Sequence, residues 1–266
     1  MKRQPDEPHA GNMKETIFLI FGIPAMLYLG LCIFLYVAQR SLLYQPPLET
    51  SGTEADEMRI DSNGVSLKVW HFNPRLSKAI IYFGGNAENV YWNVPDFREI
   101  FPDYSVYLIN YRGYGGSSGS PSEAALLEDA VSIFDHLQSK HESISLIGRS
   151  LGTGVATYLA SVRKVEKMVL VTPFDSLVSV AQRGYPIFPV SLFMKDRYDS
   201  IGRAAAIKST TLVILAENDE IILRESSDRL ISGFKSTDVL VEMIDDATHN
   251  SVGSTSLYLK LLNDFL

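Results

Sequence analysis

"SISLIGRSLGTGVATYLA", residues 143–160, leaves an apolar run, passes through closely spaced glycines and continues in a helix-compatible pattern, with Ser150 between Gly148 and Gly152. This is G-x-S-x-G at a point where a strand ends and a helix begins. A nucleophile on so sharp a turn needs neighbours without a Cβ, because only then can strand and helix close on each other. The start of the following helix also brings unpaired backbone N–H groups and a positive dipole end to the place where a tetrahedral oxyanion would form. Taken alone, the pentapeptide also fits a glycine-rich bend of no catalytic meaning.

Outward from this stretch, the apolar segments 79–84, 104–110, 167–171, 210–216 and 238–244 read as further strands, several of them apolar on both faces. Strands of that kind belong inside a parallel sheet covered by helices. "EMRIDSNGVSLKVWHFN" has two short alternating runs about Asn63-Gly64, the signature of a tight hairpin, and predicts an antiparallel opening of the sheet. "SPSEAALLEDAVSIFDHLQSK" predicts a helix with Ser120 as cap, Pro121 in the first turn and Glu123 completing a capping box. The alternation gives an α/β fold with a mostly parallel central sheet and helices on both faces.

A serine hydroxyl attacks a carbonyl only when a base takes its proton and a third group holds that base in the right tautomer. Of the five histidines, His9 lies in the N-terminal tail, His71 in the hairpin, and His136 and His141 in or just after a helix upstream of the serine. His249, in "IDDATHNS" directly after the last strand, is the candidate base. The candidate acid is Asp219 in "LVILAENDEII", with Glu217 and Glu220 read as solvated; Asp175 in "TPFDS" is the rival at another strand end. Asp245 and Asp246 stand too close in sequence to His249 to orient its ring.

The order Ser150, Asp219, His249, each after a strand, is the triad order of the α/β-hydrolases. With "YFGGNAENV", "INYRGYGGSSGSPSEA", "YPIFPVSLFMKDRYDS" and "ATHNS", the sequence resembles that superfamily over nearly all of residues 57–266. More narrowly it resembles a membrane-anchored branch related to acyl-protein thioesterases, which remove palmitate from cysteine. The resemblance implies an oxyanion hole from the backbone N–H groups of Leu151 and of Asn86. Relatives carry His-Gly-Asn-Ala where this chain has Gly84-Gly85-Asn86-Ala87, a change expected to spare the chemistry but loosen the loop. It also implies a cap at 182–200, expected as a small apolar wall rather than a lid domain and suited to an acyl chain. "NYRGYGGSSG" lacks the lysine of a phosphate-binding loop and reads as a glycine-permissive turn at the mouth of the site.

From Thr16 to Ala38 the chain has no charged residue, about the length a helix needs to cross the hydrocarbon core. A transmembrane anchor is expected, in preference to a cleaved signal peptide or a buried helix. Lys2, Arg3 and Lys14 precede it and Arg40 follows, so the positive-inside rule puts the N-terminus in the cytoplasm and the catalytic domain in the periplasm or outside the cell. The expected organisation is a tail (1–15), an anchor (16–38), a linker (39–56) and a hydrolase domain (57–266). The net charge of -7 and the absence of a basic run argue against nucleic-acid binding. The single cysteine, Cys32, excludes an intrachain disulfide and a cysteine-based metal site. The expectation is therefore a membrane-anchored serine hydrolase of acyl esters or thioesters, without metal or organic cofactor. The alternatives are a tethered lipid- or peptide-binding protein, and peptidase or lysophospholipase chemistry on the same fold.

Overall fold

The computed structural model describes residues 10–235 and 238–266. His9, Lys2 and Arg3, and with them most of the expected tail, lie outside the described residues. The chain divides into two compact units at Leu42/Leu43.

The first unit is helical: α1 (Ala10–Ile17), a π turn at Phe18–Gly22 and α2 (Ile23–Leu43). The π turn has a local cause. Pro24 carries no N–H and cannot close the ladder onto Ile20, and the Ile23 N–H bonds the Phe18 carbonyl, five residues back. The stretch Glu15–Leu43 is long and apolar enough to span a membrane, an 18-residue window within it having a mean hydropathy of 2.5. Its large side chains, such as Leu27 (69% exposed) and Val37 (72%), are uncovered by protein, unlike those of a core helix.

The second unit is an eight-stranded sheet in the order β1-β2-β4-β3-β5-β6-β7-β8. The strands are β1 (Asp56–Ser62), β2 (Val65–Phe72), β3 (Lys78–Phe83), β4 (Ser105–Ile109), β5 (Ser143–Arg149), β6 (Lys167–Val171), β7 (Thr210–Asn218) and β8 (Val239–Thr248). β1 and β2 form the expected hairpin, Ser62 facing Val65 across Asn63 (φ 52°) and Gly64 (φ 82°). β2 meets β4 antiparallel, and all later pairings are parallel. The strand period of two divides the core. Ile81 and Phe83 join Leu146, Leu170 and Val213 on one face, beneath α4 (Glu123–Gln138) and α5 (Leu151–Val162). Ile80 and Tyr82 join Ile147, Val169 and Ile214 on the other, beneath α3 (Val94–Ile100) and α10 (Ser256–Phe265). The remaining helices are α6 (Leu177–Gly184), α7 (Val190–Phe193), α8 (Ser200–Ala204) and α9 (Arg224–Gly233).

Two local expectations are corrected. Ser122, not Ser120, caps α4, its hydroxyl accepting from the Ala125 N–H at 3.3 Å. Pro121 thus precedes the cap. Glu123 is then the first helical residue and not the third, so it cannot complete a capping box; its carboxylate accepts instead from the Arg197 N–H (2.6 Å) and the Arg203 guanidinium (2.8 Å). The second concerns 39–56, expected as a linker. α2 continues to Leu43, and the chain beyond it is built into the sheet unit. Tyr44 is buried with its hydroxyl 3.0 Å from that of Tyr198, and the Pro47 carbonyl accepts from the Gly115 N–H at 3.2 Å. Lys68, 2% exposed, binds Glu49 at 3.1 Å, the Thr50 carbonyl at 3.1 Å and Glu57 at 2.9 Å, with Trp70 under its ammonium. A buried ammonium must find such partners or lose its charge, and the exit segment supplies two of them.

The hydrogen bond from Lys68 holds the Glu57 carboxyl below the usual carboxylate range. A depressed folded-state pKa contributes stability above the unfolded pKa, and that contribution is lost as pH falls through the folded value. Glu57→Gln is expected to lower the urea midpoint at pH 7 by the equivalent of about 1 kcal/mol or less, since the carboxylate is partly exposed and screened. The gap between wild type and variant should close as the pH is lowered from 5 to about 3; a gap constant across that range would contradict the ion-pair account.

Candidate active site

β5 ends at Arg149 and α5 begins at Leu151, leaving Ser150 at φ 49°, ψ −114°. An L-residue holds such a conformation only where its surroundings over-determine it. Here the Ser150 N–H is bound by the Val171 carbonyl of β6 at 2.9 Å, and the Ser150 carbonyl accepts from the Thr153 N–H at 2.9 Å. The flanking glycines are steric necessities. A Cβ on Gly152 would stand 2.0 Å from the Phe83 carbonyl oxygen, and one on Gly148 would stand 2.6 Å from the Gly152 carbonyl oxygen. Strand and helix cross too closely for any side chain.

The candidate base comes from farther along the sheet's C-terminal edge. His249 follows β8 directly and Asp219 follows β7. The two strands pair Ala216 with Ile244, but Asn218 with Thr248, so β8 carries extra residues across a bulge. A bulge bends the strand and re-aims the side chains beyond it, and here it sets the two strand ends opposite each other. Glu217, read from sequence as solvated, accepts from the Asp246 N–H at 2.9 Å, where Asp246 takes φ 57°. It therefore braces the bulge.

His249, 5% exposed, has its Nε2 2.9 Å from the Ser150 Oγ and its Nδ1 at 2.8 and 3.0 Å from the two oxygens of Asp219. A carboxylate only accepts, so Nδ1 carries the proton and Nε2 is left with its lone pair towards the serine hydroxyl. Asp219 is itself held by the N–H groups of Ile221 (3.0 Å) and Ile222 (2.7 Å). The structure thus brings together Ser150, His249 and Asp219. The rival, Asp175, is engaged elsewhere: it accepts from Ser226 (2.6 Å) and Arg229 (2.7 Å) and from the Ser179 hydroxyl. Burial pushes its pKa up, but these donors outweigh burial and hold it below the usual range. Of the other described histidines, His141 lies between Tyr107 and the Leu76 carbonyl, His136 beside Lys140, and His71 on β2 stacks on the Tyr107 ring, away from Ser150.

The loop after β3 packs on the serine, a Cβ on Gly85 falling 3.6 Å from that of Ser150. Leu151 is the first residue of α5, so its N–H has no acceptor within the helix. The loop expected to be loosened by Gly84 is tied at Gly84, Gly85, Asn86 and Glu88. The Gly84 carbonyl accepts from Tyr111 (2.8 Å), and the Gly85 N–H donates to Glu88 (2.6 Å). The Asn86 amide meets the Leu43 carbonyl (2.5 Å), the Gln45 N–H (3.1 Å) and the Tyr114 hydroxyl (2.8 Å). Ala87 takes φ 61°. Glu88 also accepts from Tyr82 (2.6 Å) and Asn93 (2.8 Å) and faces Arg149 at 3.6 Å. Sequence reading missed Glu88, Tyr111, Tyr114 and Arg149. Only the tyrosines had a signal, standing in the glycine turn where Gly113, Gly115, Gly116 and Gly119 all take positive φ.

The segment between β6 and β7 folds as α6, α7 and α8 and leaves Tyr185 (49% exposed), Ile187 (69%), Leu192 (77%) and Phe193 (53%) at the surface. It is a short apolar cap, not a separate domain. Among the described residues no group of three or more His, Cys, Asp or Glu side chains converges as a metal site.

A family model described as the alpha/beta hydrolase fold matches residues 78–192, which include Ser150 but neither Asp219 nor His249. An uncharacterized protein of Mycobacterium tuberculosis is 32% identical over 229 residues, 80% of this chain and 81% of that protein. Protein bem46 of Schizosaccharomyces pombe is 25% identical over 97% of this chain and 96% of its own length. Among solved structures, the Pyrococcus furiosus esterase Pf2001 superposes with a TM-score of 0.69 at 18% identity, covering 84% of this chain and 98% of the esterase.

Proposed function

The chain belongs to the α/β-hydrolase family, and we propose that it is a membrane-anchored serine hydrolase of carboxylic esters or thioesters. The observation that carries this reading is His249 bonded on one side to Ser150 and on the other to Asp219. Nε2 takes the proton from Oγ as the oxygen attacks the acyl carbonyl, and the imidazolium so formed is stabilised by Asp219. The carbonyl oxygen becomes an oxyanion that the N–H groups of Leu151 and Asn86 bind. Collapse of the tetrahedral intermediate breaks the bond to the leaving oxygen or sulfur, which receives the proton from Nε2. Water then attacks the acyl-serine, giving its proton to Nε2 of His249; the same hole stabilises the second oxyanion, whose collapse breaks the acyl–Oγ bond as Nε2 returns the proton to Oγ and the acid leaves. The apolar cap supports an acyl rather than a peptide substrate, because a chain of methylene groups gains about 0.8 kcal/mol per buried CH₂.

The Glu15–Leu43 span supports tethering to a bilayer. The excess of Lys and Arg before it supports a cytoplasmic N-terminus with the hydrolase domain on the opposite side. Protease added to intact cells or spheroplasts should then digest the domain; protection would reverse the orientation.

A fluorophosphonate probe should label the full chain, with labelling absent in Ser150→Ala. His249→Ala should reduce turnover by about 10⁶-fold. Acyl esters and thioesters of graded length should be hydrolysed in preference to small peptides. No labelling of the folded wild type would leave a tethered binding protein, and cleavage of peptides with acyl esters ignored would leave a peptidase; either outcome sinks the proposal.

A further inference from the structure

Asn86 stands in the loop that packs on Ser150, yet its side chain is committed away from any substrate. Its Oδ1 accepts from the Gln45 N–H at 3.1 Å and from the Tyr114 hydroxyl at 2.8 Å, while its Nδ2 donates to the Leu43 carbonyl at 2.5 Å. Both acceptor positions of the amide oxygen and one of its two N–H groups are therefore used by protein. Of its three partners, two are backbone groups of the segment that leaves the apolar helix.

We propose that this exit segment, with Tyr114, is a positioning device for the oxyanion hole: it grips the Asn86 side chain and so fixes the direction of the Asn86 backbone N–H. This rests on the reading of Ser150 as a nucleophile. The chemistry of the residue agrees with the role. The amide donates to the Leu43 carbonyl and accepts twice, whereas aspartate, which cannot donate, fits two of the three partners and meets the carbonyl with repulsion. The segment is itself fastened. Tyr44 is pinned to Tyr198, the Pro47 carbonyl to the Gly115 N–H, Glu49 to Lys68, and Thr50 to Asn89. Gly115, next to Tyr114 in the glycine turn, takes φ 49° and lies against the Asn110 side chain, so the tyrosine too sits on a fixed backbone. The exit segment 43–50 and the loop after β3 thus share one hydrogen-bonded junction. Because the grip acts on the transition state and not on the bound ester, its loss is read in kcat and not in KM.

The test uses the full chain in detergent or nanodiscs with Tyr114→Phe, Asn86→Ala and Asn86→Asp. It measures kcat and KM on a short acyl ester, affinity for an alkyl boronic acid that forms a tetrahedral adduct on Ser150, and the pH–rate profile. Asn86→Ala and Asn86→Asp should lower kcat by about 30- to 100-fold, within the range seen when a reacting group is misplaced or one oxyanion donor is lost. Tyr114→Phe, which removes a single hydroxyl, should lower it about 3- to 10-fold. KM should stay within about twofold, the boronic acid should weaken by the same factor as kcat/KM, and the pKa governing the base should not move. If Asn86 variants fail to fold, Tyr114→Phe decides. Wild-type kcat and boronic-acid affinity in the folded variants, or a rise in KM with kcat intact, would overturn the positioning role while leaving the hydrolase reading standing. Absence of Ser150-dependent turnover in the wild type would overturn both.

Discussion

Ser150 at φ 49° is the constraint on which the rest of the sheet's working edge depends. A residue held there costs about 1–3 kcal/mol, and the cost is borne by a crossing so tight that Gly148 and Gly152 admit no side chain. The same crossing settles where neighbouring groups must lie. The Phe83 carbonyl sits against Gly152, which brings the end of β3 and the loop after it onto the serine, and the Val171 carbonyl holds the Ser150 N–H. A looser turn would free the hydroxyl to choose among rotamers and partners. A strained one leaves it facing His249.

The second half of the arrangement comes from β7, buried along most of its length, and from β8 at the edge of the sheet. β8 is largely exposed along its length, yet its bulge and the brace between Glu217 and Asp246 decide where His249 stands relative to Asp219. The parallel strands β3, β5 and β6, apolar on both faces, carry Ser150 and the loop that packs on it, and the irregular edge carries His249.

Much of this was legible in the sequence, for physical reasons. Strand periodicity, the Asn63-Gly64 hairpin and the glycine spacing about Ser150 are local, and local backbone chemistry is what sequence encodes most directly. Asp219 and His249 could be singled out because a strand end is a small target. What escaped depended on contacts between distant positions. Ser122 and not Ser120 caps α4, in a turn where Glu123 is bound to Arg197 and Arg203, seventy to eighty residues on. The polar, proline-bearing stretch 39–56 has the composition of a linker, and only the positions of Asn86, Lys68 and Tyr198 reveal that it is part of the domain. Glu88 and Glu217 look like surface carboxylates until their donors are seen.

The proposed reaction acylates Ser150 at every turnover. Rapid acid quench of the full chain with an activated acyl thioester, followed by trypsin and mass spectrometry, tests it directly. One acyl group should appear on the peptide Ser150–Arg163, at Ser150, within the first turnover, and Ser150→Ala should show none. Turnover by the wild type with that peptide unmodified, or with the acyl group on another residue, would contradict the account.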